Sequence, residues 1–268
     1  MLRIFLTKRS FVGLLLLGSC ISGASRAQTP DDLAEARRHF RERDFDAAIV
    51  ILERLRASRP DAEVYRLLGL SHARLDRLDR AEPFLKASAE LTPEDHLARY
   101  HLGMLYYLMS RFEAAAGEFR AAIGLLPAFM KGHDGLGLAL EELGPPEAAI
   151  ASYRRAIALA EEQRLGDASP YLNLGKFLIT QNRAAESLSV LERAATLAPA
   201  SADAAYFLGK ALDKAGRPDQ AIASLNRAVR NDPRSAEAHY LLSRIYLRQG
   251  RDEEARKALE RFQELKKK

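Results

Sequence analysis

Residues 96–127 read HLARYHLGMLYYLMSRFEAAAGEFRAAIGLLP. In this stretch the Leu102-Gly103 pair is followed by Ser110, then a small residue, Ala115, a large one, Phe119, and a closing proline, Pro127. Each position has a physical task. Two helices lie close only where side chains are given up, as Gly103 does on the first helix and Ala115 on the second. The large residue one turn beyond the alanine fills the gap between adjacent units. Ser110 marks the turn, where a residue tolerant of a left-handed backbone is needed. Pro127 stops the second helix because proline cannot continue the hydrogen-bond ladder.

The same set recurs along the chain. Leu68-Gly69, Leu136-Gly137, Leu174-Gly175, Leu208-Gly209 and Leu242-Ser243 match the first pair. The small positions are Ala81, Ala149, Ser187, Ala221 and Ala255, and the large ones Leu85, Tyr153, Leu191, Leu225 and Leu259. Pro60, Pro93, Pro127, Pro199 and Pro233 are spaced by 33, 34, 72 and 34 residues, and 72 is two periods plus four. Gly144, Asn182, Gly216 and Gly250 mark further turns, and Pro146 and Pro218 fall where a second helix begins, a position that needs no N–H. A degenerate first copy has Ala36, Ala48, Leu52 and Pro60 in matching places. A joint pattern at fixed period outweighs any single element. It resembles the tetratricopeptide repeat, a helix–turn–helix unit of about 34 residues, in seven copies over roughly residues 31–268.

The resemblance implies an all-α fold, an α-solenoid of antiparallel helix pairs forming a right-handed superhelix with a concave inner face. Copies are placed at 29–61, 62–95, 96–129, 130–167 (with the insertion), 168–201, 202–235 and 236–268. Three departures stand out. The first copy has Ala36 in place of glycine, among charges that suit a terminal cap. Pro83 falls inside a second helix, which is expected to start late or bend. The four extra residues follow the fourth copy, where Glu161-Glu162-Gln163-Arg164 prolongs a helix that Gly166 ends, and Asp167 or Ser169 with Pro170 starts the next. A bend in one array is expected there, not two independent domains.

Residues 1–27 precede the array as a signal peptide: Arg3, Lys8 and Arg9 form a basic region, Phe11 to Leu17 an apolar run, and Ser22 to Ala27 a small-residue stretch. The apolar run is about half of the ~20 residues that span a membrane. Cleavage after Ala27 would leave Gln28 first. The segment Leu17-Gly18-Ser19-Cys20 resembles a bacterial lipobox, in which a leader of 1–19 is removed and Cys20, the single cysteine, is lipidated. Both readings make the chain exported, to the periplasm or outer membrane or beyond, and a membrane is involved only through such an anchor. The leader also explains the basic pI. The chain has 41 Lys and Arg against 36 Asp and Glu, and four of the bases but none of the acids lie in 1–27; the remaining 37 bases exceed the acids by one. Without a basic stripe, nucleic-acid binding is disfavoured.

Catalytic signatures are missing from the sequence. His39, His72, His96, His101, His133 and His239 are scattered, and His96 and His101 are not spaced to share a helical face. The glycine-rich run Gly132-His133-Asp134-Gly135-Leu136-Gly137 lies within a helix, with no preceding strand to make a dinucleotide loop; it reads as room for a neighbouring helix or a ligand. No enzyme activity, cofactor or metal is expected. The resemblance instead implies a groove lined by the first helix of each copy, binding other proteins or extended peptides. The candidate groove residues are Arg66, Leu70, Arg74, Tyr100, Met104, Tyr107, Lys131, Asn173, Lys176, Tyr206, Lys210, Tyr240 and Arg244. Tyr100, Met104 and Tyr107 form the most apolar set, and Tyr and Met give large, adaptable contact area. Tyr106, Tyr153 and Tyr246 fall at core positions. The Lys and Asn clamp with which some family members hold a carboxylate terminus is not matched, because Asp134, Leu138, Asp203 and Phe207 stand where clamp residues would be.

Overall fold

The computed structural model describes residues 30–144 and 146–267. The leader, its cleavage sites and Cys20 lie outside the described residues. The described chain forms helices α1 (Pro30–Arg41), α2 (Phe45–Ser58), α3 (Ala62–Arg74), α4 (Leu78–Leu91), α5 (His96–Leu108), α6 (Phe112–Leu125) and α7 (Met130–Leu143). It continues through α8 (Pro146–Glu162), α9 (Ser169–Thr180), α10 (Ala184–Leu197), α11 (Ala202–Lys214), α12 (Pro218–Asn231), α13 (Ala236–Arg248) and α14 (Asp252–Lys266). Each odd helix packs along the even helix that follows it, and each even helix packs on the next odd one. The result is an α-solenoid of antiparallel pairs.

Local chemistry sets the ends. Side chains of Asp61, Ser201 and Ser235 accept the N–H three residues on, satisfying a donor that the first turn leaves open. At the turns within copies Asp76, Ser110, Asn182, Gly216 and Gly250 take positive φ, between 56° and 73°. The arginine after each then donates its N–H back across the turn, as Arg111 does to the Tyr106 carbonyl at 2.8 Å and Arg183 to that of Leu178 at 2.8 Å. Gly144 departs from the expected left-handed turn: its φ is 175°, extended. The next residue is Pro145, which has no N–H to donate across the turn and disfavours a helical residue before it. Pro146 and Pro218 begin α8 and α12 as expected, and α2, α4, α6, α10 and α12 each stop two residues before a repeat-ending proline. Pro83 does not delay α4. The helix starts at Leu78, in register with its siblings, and Pro83 sits exposed inside it, on the face turned away from the core.

The glycine of each pair works as a contact. A Cβ on Gly69 would meet Leu85 Cγ at 2.5 Å, one on Gly209 would meet Leu225 Cγ at 2.7 Å, and one on Gly137 would meet Tyr153 Cε1 at 2.5 Å. So the large residue fills space inside its own copy first, and not chiefly the gap between copies. Phe119 does both, because it lies against Gly103 of its own copy and, at 2.6 Å from a Cβ position, against Gly135 of the next. The glycine-rich run in α7 is thereby explained: Gly132 makes room for Phe129, Gly135 for Phe119 and Gly137 for Tyr153. Tyr106, Tyr153 and Tyr246 are buried, as read from their positions.

The insertion lengthens α8 to 17 residues, against 14 in α6 and α10. Arg164, with φ 52°, closes that helix, since Leu165 N–H reaches the Ala160 carbonyl at 3.0 Å. Gly166, also left-handed at φ 65°, turns the chain onward, and Asp167 accepts the Ser169 N–H at 2.8 Å to start α9. The core runs through this junction: Ala149, Ile150 and Tyr153 of α8 pack with Leu174, Phe177 and Leu178 of α9.

Candidate functional site

Packing between copies locates the groove. Odd helices touch the next odd helix all along the array, including α7 on α9 across the insertion, whereas among the described residues no even helix touches the next even one. Of two stacked layers, the one whose members approach more closely is on the inside of the curve. The line α3, α5, α7, α9, α11 and α13 is therefore the concave side, and each of the candidate groove residues lies on it.

Its first half is apolar and partly covered. Tyr100 is half-buried, its ring 5.4 Å edge-on from Phe129 and 5.9 Å from Phe119. Met104 and Leu70 lean on the same core, and Tyr107 stands 5.6 Å from Phe112. Leu108, at the end of α5, is 54% exposed beside them. Arg66 is not free. Its guanidinium lies 4.0 Å from Glu63 and 3.8 Å from Asp95. Arg74 and Lys131 project into solvent. Burial, with Arg66 nearby, pushes His101 down to about 4, so it is neutral at physiological pH.

At the centre is a half-buried acid. Asn173 Nδ2 of α9 donates to both carboxylate oxygens of Asp134 on α7, each at 3.1 Å. Burial, reinforced by Asp167, raises its carboxyl to about 6 despite those bonds. Glu141, about two turns along α7, is likewise raised by burial although the Tyr153 hydroxyl donates to it at 2.8 Å. The Asn173–Asp134 contact ties the groove floor together where the four extra residues enter. Asn173 was expected to face a ligand, and its amide is engaged within the protein.

The second half is cationic and aromatic. Lys176 Nζ lies 5.0 Å and Lys210 Nζ 5.9 Å from the centroid of Phe207, which also packs 5.0 Å from Tyr206. Tyr240 is 44% exposed, 5.0 Å from Phe262 of the last helix, and Arg244 sits 5.9 Å from its ring. The candidate residues thus do not form one patch. They divide into Leu70, Tyr100, Met104 and Tyr107 with flanking Arg66 and Arg74 on α3 and α5, Lys131 at the start of α7, and a cationic and aromatic set on α9, α11 and α13, with the acids Asp134 and Glu141 of α7 between them. Phe129 and Phe207, around which the aromatic contacts gather, were not among the candidates. Phe129 precedes α7 in a turn, outside the helical positions from which a groove is read. Among the described residues no three His, Cys, Asp or Glu side chains converge as metal ligands, and no helix is long and apolar enough to cross a membrane.

Stacked helix pairs whose first helices line one continuous concave face define a superhelical repeat scaffold. The tetratricopeptide repeat family model matches residues 33–96, 81–128, 102–175, 172–233 and 206–267, and the chain belongs to that family. A BBSome complex member BBS4 homolog from Drosophila melanogaster is 27% identical over 153 residues, which cover 56% of this chain and 32% of that protein. The chain thus spans about a third of that relative's length. Among solved structures, YrrB, described as a TPR protein with an unusual peptide-binding site, superposes with a TM-score of 0.56 at 20% identity, covering 68% of this chain and 91% of YrrB. PilW, described as a widely conserved type IV pilus biogenesis factor, gives 0.66 at 18% identity, covering 74% of this chain and 90% of PilW. At these identities the structural likeness is one of fold. The repeat fold is consistent with a protein-interaction scaffold.

Proposed function

We propose that this chain is an exported adaptor of the bacterial cell envelope that holds extended peptides or partner domains in its concave groove, without enzymatic chemistry. The observation that carries the reading is the unbroken line of touching odd helices, with half-buried Tyr100, Met104 and Tyr107 presenting apolar surface beside exposed Leu108. Amphipathic aromatic side chains of this kind supply contact area at low entropic loss. YrrB, with its peptide-binding site, supports the same use of the fold. The test is site-specific photocrosslinking in the full-length chain. A crosslinker at Tyr107 is expected to yield discrete adducts, and the same group at Arg120, exposed on α6, is expected to yield none. Adducts from Arg120 alone would move the interaction to the convex face and sink the groove reading.

Export rests on the basic, apolar and small-residue regions of 1–27, and the N-terminal residue of the purified chain checks it: Gln28 for ordinary cleavage, Cys20 for a lipoprotein. The second of these makes the protein a lipidated outer-membrane assembly factor. It is favoured by the single cysteine falling at the lipobox position. Fatty-acid label that persists after Cys20→Ser would dismiss the anchor.

A further inference from the structure

One position in the groove changes chemistry along the array. The residue directly after the glycine or serine of each Leu-Gly-type pair is Leu70, Met104 and Leu138 in the second to fourth copies, but Lys176, Lys210 and Arg244 in the fifth to seventh. The change falls at the insertion. Four residues further on, Lys214 and Arg248 extend the cations on the same faces of α11 and α13. α9 touches α11 and α11 touches α13, so these positions follow one another along the inner wall. Lys210, Lys214, Arg244 and Arg248 line one open cleft of about 580 Å³ together with Asp213 and Leu241.

Unlike the arginines at the turns, most cations of this file have no carboxylate partner. Arg77, Arg111 and Arg183 each bind a carboxylate of the preceding copy, Asp46, Glu82 and Glu147. In the cleft Arg248 pairs with Asp213. No carboxylate of the described residues lies within 4.0 Å of Lys176, Lys210, Lys214 or Arg244. Lys176 and Lys210 instead share the ring of Phe207. Unneutralised like charges held along one wall raise its energy and attract an anion, an effect that reaches about 10 Å at 0.1 M salt.

We infer that the fifth to seventh copies bind an acidic segment of the partner protein, one rich in Asp and Glu, with its carboxylates on Lys176, Lys210, Lys214 and Arg244. This rests on the groove reading above and adds a polarity to it: the acidic segment lies over α9 to α13, and the partner's apolar residues lie over α5. A peptide fits better than a nucleic acid. The cations run in a narrow file beside Tyr206, Leu241 and the acid Asp213, and the chain beyond its first 27 residues is nearly neutral, with 37 bases against 36 acids once the four leader bases are set aside.

The experiment is selection of a random-peptide display library on the full chain, followed by fluorescence anisotropy of the enriched peptides. The enriched sequences should carry runs of Asp and Glu and bind more weakly as salt rises. Lys210→Glu/Arg244→Glu should weaken them by about tenfold or more, roughly 1.4 kcal/mol, while Lys210→Arg/Arg244→Lys keeps the binding. All four positions are at least partly exposed, and circular dichroism confirms that the variants fold. Peptides without acidic residues, or peptides insensitive to the charge reversal yet lost in Tyr100→Ala/Tyr107→Ala, overturn the acidic-segment inference and leave the groove reading standing. Failure to enrich any peptide overturns both. A single-stranded oligonucleotide that binds as tightly as the acidic peptides overturns the choice of partner.

Discussion

Replacing Asp134 with asparagine removes one charge from the centre of the groove and nearly nothing else. The side chain is almost isosteric, and its carbonyl oxygen can still accept from Asn173 Nδ2, which lies 3.1 Å away in the native chain. The native carboxyl is raised from 3.8 to about 6 by burial, with Asp167 adding to the shift. Its ionised form is therefore less favourable in the fold than in the unfolded chain. Below pH 3.8 the carboxyl is neutral in both states and costs nothing; as pH rises through 6 the fold must accept the buried charge. A shift of roughly two units corresponds to about 3 kcal/mol at the plateau. Asp134→Asn is thus expected to be more stable than the native chain at pH 8, by up to about 3 kcal/mol less about 1 kcal/mol for one weakened hydrogen bond. The advantage should shrink steadily between pH 6 and pH 4. Urea denaturation of both chains at several pH values, followed by circular dichroism, measures it. A stability difference that does not change with pH would refute the reasoning, because a purely steric or hydrogen-bonding effect has no reason to titrate. So would a native chain that gains on the variant as pH rises.

Gly137→Ala should cost about 1–3 kcal/mol in chemical denaturation, since the added Cβ lands 2.5 Å from the Tyr153 ring, which is fully buried and tethered to Glu141. Gly117→Ala, on an exposed face with nothing within 4 Å, should instead stabilise α6 by up to about 1 kcal/mol. Tyr153→Phe keeps the ring and removes the donor to Glu141, and about 0.5–1.5 kcal/mol of destabilisation is expected. Arg183→Ala breaks contacts with Glu147 and Glu186, yet those carboxylates are 73% and 46% exposed, so the urea midpoint should barely move and any loss should fade in high salt.

The fold was legible in the sequence because every repeat repeats its constraint. A glycine facing Leu85 in one copy faces Leu225 in another, and an error at one position is corrected by five others. Gly144 shows the limit of that reasoning. The position predicts a left-handed turn, but the local Pro145 overrides the family pattern. The candidate site was legible only as a face. Position in the repeat places Asn173 and Arg66 on the inner helices, and both are there. That Asn173 is spent on Asp134, and Arg66 on Glu63 and Asp95, depends on which neighbours reach them, and this is set by side chains on other helices. Phe129 was out of reach for another reason: it lies in a turn, where repeat position carries little information about direction.

The segment from Gly132 to Gly137 breaks several rules of helix stability at once. Three glycines inside α7 each cost about 1 kcal/mol relative to alanine, and Asp134 holds a half-buried carboxyl whose ionisation is disfavoured. Packing explains the glycines, since Phe129, Phe119 and Tyr153 occupy the space they leave. It does not explain the negative charge, since a neutral asparagine would fill the same space and still accept from Asn173. A local sacrifice without a packing return marks a functional position more often than a structural one. Asp134 stands where the groove changes from apolar Met104 and Leu138 to cationic Lys176, and the insertion enters between those copies. A fixed negative charge there repels an acidic segment from the first half of the groove as Lys176 and Lys210 attract it to the second. If the acidic segment proposed above lies over α9 to α13, the charge of Asp134 opposes its lying over α5 instead, and the Asp134→Asn chain should discriminate less between the two placements in the same anisotropy assay.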